Sequence, residues 1–283
     1  MTRVRAGLSG ALALFALALG ACPHEVIAPP ADALTDARAV IALVADRPGP
    51  RTAAIEARAT QYGDSGAFKG KLTILVERPA SVHFSALSPT DDVVSVLVTD
   101  GERFTTFERG ASTCYVGRAC PENVGRLLPL ALEPSELAGA LLGRPPLIAH
   151  GDAAATWDGR VGAYRLDLSG SGGLSQRLWV AHGSGEVRRA QLLEAGRVTV
   201  DLRYDDWAAA GAYRMPRRLD VTMKRGDVDL RLVYREIDLD LDLDRSAFTL
   251  PCPAKSEVLT LPCDGAAPPA PAAPVPPPRE DAP

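Results

Sequence analysis

The densest set of side chains able to do chemistry is the run IDLDLDLD at 237–244. Asp238, Asp240, Asp242 and Asp244 recur at every second position and share one face of an extended segment. Carboxylates so spaced could hold calcium. A calcium loop starting at Asp238 needs glycine at its sixth position and glutamate at its twelfth, where Leu243 and Thr249 stand. The aspartates therefore read as a solvated edge that discourages strand addition, with the leucines between them turned to the core. Other patterns fail similarly. GAFKGKL (66–72) is spaced like a phosphate loop, but Ser65 replaces the required glycine and the segment alternates like a strand. His24-Glu25 lacks the second histidine of a metalloprotease helix, and no glycine-flanked serine has the spacing of a nucleophile elbow. His24, His83, His150 and His182 show no ligand spacing. The sequence predicts no catalytic residue, no metal and no cofactor, hence not an enzyme.

Cysteine is the remaining reactive type. Cys114, Cys120, Cys252 and Cys263 form an even set. Neither close pair has the two-to-four-residue spacing of a zinc knuckle, so disulfides are expected. Three connectivities are open; pairing Cys114 with Cys120 and Cys252 with Cys263 closes the shortest loops and is entropically easiest. Cys22 stands apart from them. It ends the tetrapeptide Leu19-Gly20-Ala21-Cys22, behind a basic start (Arg3, Arg5) and an apolar run from about Leu8 to Ala21, which is the layout of a secretory signal. The tetrapeptide resembles the lipobox at which bacterial lipoprotein precursors are acylated and cut. Residues 1–21 are then a lipoprotein signal peptide and Cys22 the lipidated first mature residue. Several acyl chains, each contributing about 0.8 kcal/mol per buried methylene, make a permanent anchor. Pro23 follows where an aspartate would resemble an inner-membrane retention signal, so the expected location is the outer membrane, lipid-anchored and facing the periplasm.

The chain has 283 residues and carries 31 basic against 35 acidic side chains, and cleavage before Cys22 removes two of the basic ones. A mildly acidic chain with few aromatics lacks the basic footprint and stacking platforms that nucleic acid requires. Residues 22–31, with Pro23, Pro29 and Pro30, read as a tether, and 264–283 as a disordered Pro/Ala-rich tail. The domain between them spans 32–263.

Within it, a helix is predicted near Thr35 to Arg47, capped by Thr35 or Asp36 and stopped by Pro48-Gly49-Pro50. The apolar period then becomes two. Ala53, Ile55, Ala57 and Ala59 alternate with Glu56, Arg58 and Thr60, and Leu72, Ile74 and Val76 with Lys71, Thr73 and Glu77. Val94, Val96 and Val98 lead through Asp100-Gly101 into a returning strand over 103–107. A helical insertion follows, near Pro121 to Leu128 and Pro134 to Leu142, before strands resume around 164–168, 178–180, 192, 198–204, 219–223 and 228–234. The expected fold is mainly β, an antiparallel half-barrel of about eleven strands with an N-terminal helix and a helical lid insertion.

Several stretches carry a family resemblance. GKLTILVERPASVHF (70–84), SP at 88–89, VLVTDGERFTTFE (96–108), LSQRLWVA (174–181) and SAFTLPCP (246–253) are similar to segments of the LolA/LolB-like lipoprotein-carrier superfamily, over most of residues 32–255. The resemblance implies an incomplete barrel, lidded by helices around an apolar cavity that receives acyl chains. Pro121–Leu142 would be the lid, and Arg78, before Pro79, the residue that latches it to backbone carbonyls. One departure is visible. The family's membrane-bound acceptor exposes an apolar residue after its Ser/Asn-Pro element, whereas Thr90-Asp91-Asp92 follows Ser88-Pro89 here.

On this reading Ile55, Leu72, Ile74, Val96, Val98, Leu178, Val180, Val200 and Leu202 line a site for the acyl chains of a lipid or lipoprotein, in lipid or lipoprotein trafficking. The alternative is a non-catalytic envelope structural or sensory module with a filled core, binding a protein partner.

Overall fold

The computed structural model describes residues 26–63, 66–126, 130, 132–224 and 227–263. Cys22, the leader 1–21 and the tail 264–283 lie outside the described residues. The Asp36 carboxylate accepts the N–H of Arg38 at 3.0 Å and opens helix α1 (Ala37–Ala45). The prolines at 48 and 50 then prevent its continuation. Strands β1 (Thr52–Gly63), β2 (Gly66–Glu77), β3 (Ser81–Leu87), β4 (Val93–Thr99), β5 (Arg103–Glu108) and β6 (Thr113–Arg118) follow as an antiparallel meander. The insertion holds two short helices, α2 (Pro121–Val124) and α3 (Pro134–Leu141). Pro134 occupies the first turn of α3, and Gly143, at φ +65°, lies just past its end. A second meander comprises β7 (Asp152–Asp158), β8 (Ala163–Ser169), β9 (Leu174–Val180), β10 (Val187–Glu194) and β11 (Arg197–Asp205). After a small hairpin, β12 (Ala208–Ala210) with β13 (Tyr213–Met215), the chain completes β14 (Arg218–Met223) and β15 (Val228–Leu239).

All of these strands but β12 and β13 form one sheet, because β15 pairs along β1 and joins the two meanders edge to edge. The last strand, β16 (Glu257–Leu261), is added parallel to β6, so the sheet is mixed rather than wholly antiparallel and remains open between β16 and β7. Sixteen strands are present among the described residues where about eleven were expected. The five additional ones, β6, β7, β12, β13 and β16, are short or, like the alanine-rich β7 (DAAATWD), lack contrast between their faces.

The inner face of the sheet is apolar across its width. Ile55, Ile74, Phe84 and Leu97 form one cross-strand row, and Leu166, Leu178, Ala190, Leu202, Val221 and Leu230 another. The outer face over β8–β15 carries paired charges instead, Arg177 with Asp167 at 2.7 Å, Arg189 with Asp201 at 2.5 Å and Arg231 with Asp220 at 2.6 Å. Burial pushes the Asp201 carboxyl up, but Arg189, Gln191 and Arg203 together hold it below the usual carboxylate range.

Beyond β15 the chain turns through a 3-10 segment, Arg245–Phe248, and lies across the outer side of β3 and β4. The imidazole of His83 meets the Ala247 carbonyl at 2.7 Å (Nδ1) and the Ser85 hydroxyl at 2.9 Å (Nε2). The disulfides fix this strap and correct the expected pairing: Cys114 is bonded to Cys252 and Cys120 to Cys263. Most of the run from Cys114 to Cys120 is extended strand, at about 3.3 Å per residue, which separates the two far beyond the ~7 Å that a disulfide spans. The C-terminal strap passes beside both.

Candidate functional site

The helical insertion covers the inner face. Val124, Leu130, Leu132, Leu137, Leu141 and Leu142 are buried in the same core as Ile55, Ile74 and Leu178, with α3 over β2 and β3. Fully burying a leucine contributes roughly 1.5–3 kcal/mol, so lifting Leu137, Leu141 and Leu142 away costs about 5–9 kcal/mol unless another apolar body takes their place. At about 0.8 kcal/mol per methylene, roughly ten methylenes of an acyl chain offset that cost.

Of the nine residues expected to line a site, seven share this covered face: Ile55, Leu72, Ile74, Leu178, Val180, Val200 and Leu202. Val96 and Val98 do not. They register with Ser85 and His83 and face the outer side under the C-terminal strap, while Leu97 between them faces inward beside Phe84. Strand β4 is apolar on both faces, so an alternating pattern could not choose between them. A cavity of about 50 Å³ lies between Leu132, Ile148 and Pro146 and the sheet residues Val200 and Leu202. That cavity admits a few waters and no acyl chain, and with Leu137, Leu141 and Leu142 packed into the core the described part of the lid is shut.

Two arginines other than Arg78 hold it. The Arg144 guanidinium, just past α3, donates to the main-chain carbonyls of Arg47 and, at 3.3 Å, of Ala45 at the end of α1. The Arg47 guanidinium donates to the Gly143 carbonyl at 3.4 Å and the Arg214 carbonyl at 2.6 Å, and lies 4.6 Å from the Trp207 ring centroid. Tyr234, from the sheet, donates to the Leu141 carbonyl at 3.0 Å. Helix α1 reaches this position because Gly185 adjoins it: a Cβ there would fall 2.3 Å from the Leu43 carbonyl oxygen. Arg78 precedes a cis Pro79 and stands at the rim of the neighbouring cleft; among the described residues its side chain makes no hydrogen bond to the lid. The paired latch could have been sought in sequence as arginines flanking the helix ends, at 47 and 144.

A second polar array was not anticipated. Asp32, His182 and Tyr164 stand in line, with His182 Nε2 3.3 Å from the Asp32 carboxylate and Nδ1 2.8 Å from the Tyr164 hydroxyl. The order resembles a charge relay, but Tyr164 is 1% exposed and its hydroxyl accepts the Leu34 N–H at 2.8 Å. The array ties down the N-terminal segment, as does Trp157, whose Nε1–H donates to the Ile27 carbonyl at 2.8 Å. The aspartates of 237–244 serve locally. Asp240 accepts from the Arg51 amide at 2.9 Å and the Tyr213 hydroxyl at 2.7 Å, and Asp244 accepts from the Ser246 amide at 2.8 Å. Among the described residues no cluster of His, Cys, Asp or Glu suits a metal ion, and no helix is long and apolar enough to cross a membrane.

No protein-family model matches the chain, and no curated protein matches it. Solved structures do. The chain is similar to a LolA superfamily protein from Nitrosomonas europaea, at 14% identity over 77% of this chain and 99% of that one, with a TM-score of 0.50. It is similar also to a DUF1329 family protein from Desulfovibrio piger, at 9% identity over 76% and 98% of the two chains, with a TM-score of 0.55. The chain has a LolA/LolB-like fold.

Proposed function

We propose that this chain is a periplasm-facing lipoprotein, anchored to the outer membrane through Cys22, that takes acyl chains of a lipid or lipoprotein against its inner sheet face without catalysis. The observation that carries the reading is the shut lid. A continuous apolar face lies beneath a segment fastened by bonds of Arg47, Arg144 and Tyr234 to main-chain carbonyls, of Asn123 to the Arg118 and Leu261 carbonyls, and of Gln176 to Pro146 and Ile148 just past it. Such bonds contribute about 0.5–3 kcal/mol each, and apolar ligand can replace what Leu137, Leu141 and Leu142 lose. Ile55, Leu72, Ile74, Leu178, Val180, Val200 and Leu202 are then the floor of the opened site. The docked N-terminal segment supports the anchor, since Ile27, five residues after Cys22, is fixed to the β7–β8 turn through Gly159. That would hold this end of the sheet towards the bilayer.

The closed core favours a second reading, an envelope module that binds a protein partner and never opens. Mass spectrometry of material co-purifying with the full chain carrying Cys22→Ser separates the two. The carrier retains acyl-containing ligand at near one per chain; the closed module comes away without lipid.

A further inference from the structure

Beside the latch lies a cleft of about 380 Å³, bounded by the end of α1, the Arg78-Pro79 turn, residues 143–147 and the start of β10. Three guanidinium-bearing residues line it, Arg47, Arg78 and Arg144, and no carboxylate does. Among the described residues Arg47 and Arg144 donate only to neutral carbonyls, with a ring face beside Arg47, and Arg78 has no hydrogen bond or ion pair. The neighbouring carboxylate, Glu186, is engaged by Arg214 at 2.5 Å. Burial first holds Arg47 and Arg144 below the usual guanidinium range; Arg144 and Arg214 repel Arg47, which Glu186 only partly offsets, and Arg78 repels Arg144. The remaining walls include Val44, Leu147 and Val187, and Pro145-Pro146 separates the cleft from the small cavity over Val200 and Leu202.

Uncompensated arginines in a concave site are an anion receptor, and the guanidinium fork matches phosphate oxygens in pairs. We propose that the Arg47–Arg78–Arg144 cleft binds a phosphate monoester, the headgroup of an anionic lipid whose acyl chain passes Pro145-Pro146 to the inner sheet face. The acyl half of this proposal rests on the carrier reading above; the phosphate half does not. A dianion satisfies the three cations better than a single carboxylate. Loading the cleft also competes for Arg47 and Arg144, and so loosens the lid that the chain must pass.

The test is a titration of the full chain carrying Cys22→Ser with three probes: oleoyl lysophosphatidic acid, monooleoylglycerol and glycerol 3-phosphate. The lysophosphatidic acid is expected to bind at least tenfold more tightly than the uncharged lipid. Arg78→Gln, which breaks no hydrogen bond or ion pair among the described residues, should remove that advantage and leave monooleoylglycerol binding unchanged, while Arg78→Lys should restore part of it. Equal binding of the two lipids, indifferent to Arg78, overturns the cleft and leaves the acyl site standing. Arg78-dependent binding of glycerol 3-phosphate with no lipid bound supports the phosphate site, for a free phosphate ester, and overturns the acyl reading. If no probe binds, both fail.

Discussion

The Arg144 guanidinium donates to the main-chain carbonyl of Arg47, and the Arg47 guanidinium donates back to the carbonyl of Gly143, next to Arg144. Two arginines thereby clasp the end of α1 to the end of α3, and Arg144 also reaches the Ala45 carbonyl, one of those the α1 terminus leaves open. Arg144→Gln should destabilise the protein by about 1–3 kcal/mol, the range for hydrogen bonds from a charged donor. It should also speed amide hydrogen exchange in α3, whereas Arg78→Gln should leave that exchange as it was. The reverse order would return the latch to Arg78.

The two tyrosines beneath the hairpin and the lid make opposite predictions. Tyr234 donates to the Leu141 carbonyl, but the buried Tyr204 hydroxyl has no partner among the described residues. Burial drives both phenols above their ordinary values, so neither ionises in the physiological range. Tyr234→Phe should cost about 1 kcal/mol and Tyr204→Phe should be neutral or stabilising, by urea unfolding, because removing an unsatisfied buried donor relieves a desolvation cost.

Non-reducing peptide mapping should find Cys114 linked to Cys252 and Cys120 to Cys263. With Cys120–Cys263 intact, replacing Cys252 by serine opens only the short ring through 114–120 and 252–263, and a loss of roughly 2–4 kcal/mol is expected. A peptide joining Cys114 to Cys120 would place the strap elsewhere.

The strap also makes stability pH-dependent. Burial lowers the pKa of His83, and its contact with the Ala247 carbonyl only partly offsets this. A histidine that is harder to protonate when folded binds its proton preferentially in the unfolded chain. Its contribution is complete above the unfolded value of about 6.5 and is lost as pH falls below that towards the folded value. Urea midpoints should therefore drop between pH 7 and pH 5, and His83→Gln should flatten that slope. An unchanged slope would remove His83 from the account.

The physics legible in the sequence was that of periodic contrast. β1 and β2 largely alternate, with Ala54 and Leu75 the exceptions, so Ile55, Leu72 and Ile74 are assignable to one face from the sequence. α1 and α3 were bounded by Asp36, Pro134 and Gly143, residues with specific backbone roles. What could not be read depended on long-range placement. Glu257–Leu261 becomes a strand only because β6 offers an edge, and that return chooses the cysteine partners. Loop-closure entropy compares unfolded chains and ignores where native strands bring the thiols. Val96 and Val98 were misassigned because a strap 150 residues further on makes the outer face of β4 apolar too.

The central claim is that acyl chains enter beneath the lid and lie on the inner face. The three tryptophans report on it separately. Trp157 and Trp207 pack against the inner core, while Trp179 lies on the outer face with Arg189 5.0 Å from its ring centroid. A dibrominated fatty acid quenches indole fluorescence only at contact, so it can be titrated into full chains carrying Cys22→Ser and a single remaining tryptophan. Saturable quenching of Trp157 or Trp207, with Trp179 spared, is the result the account predicts. Quenching of Trp179 alone, or none at any site, would contradict it.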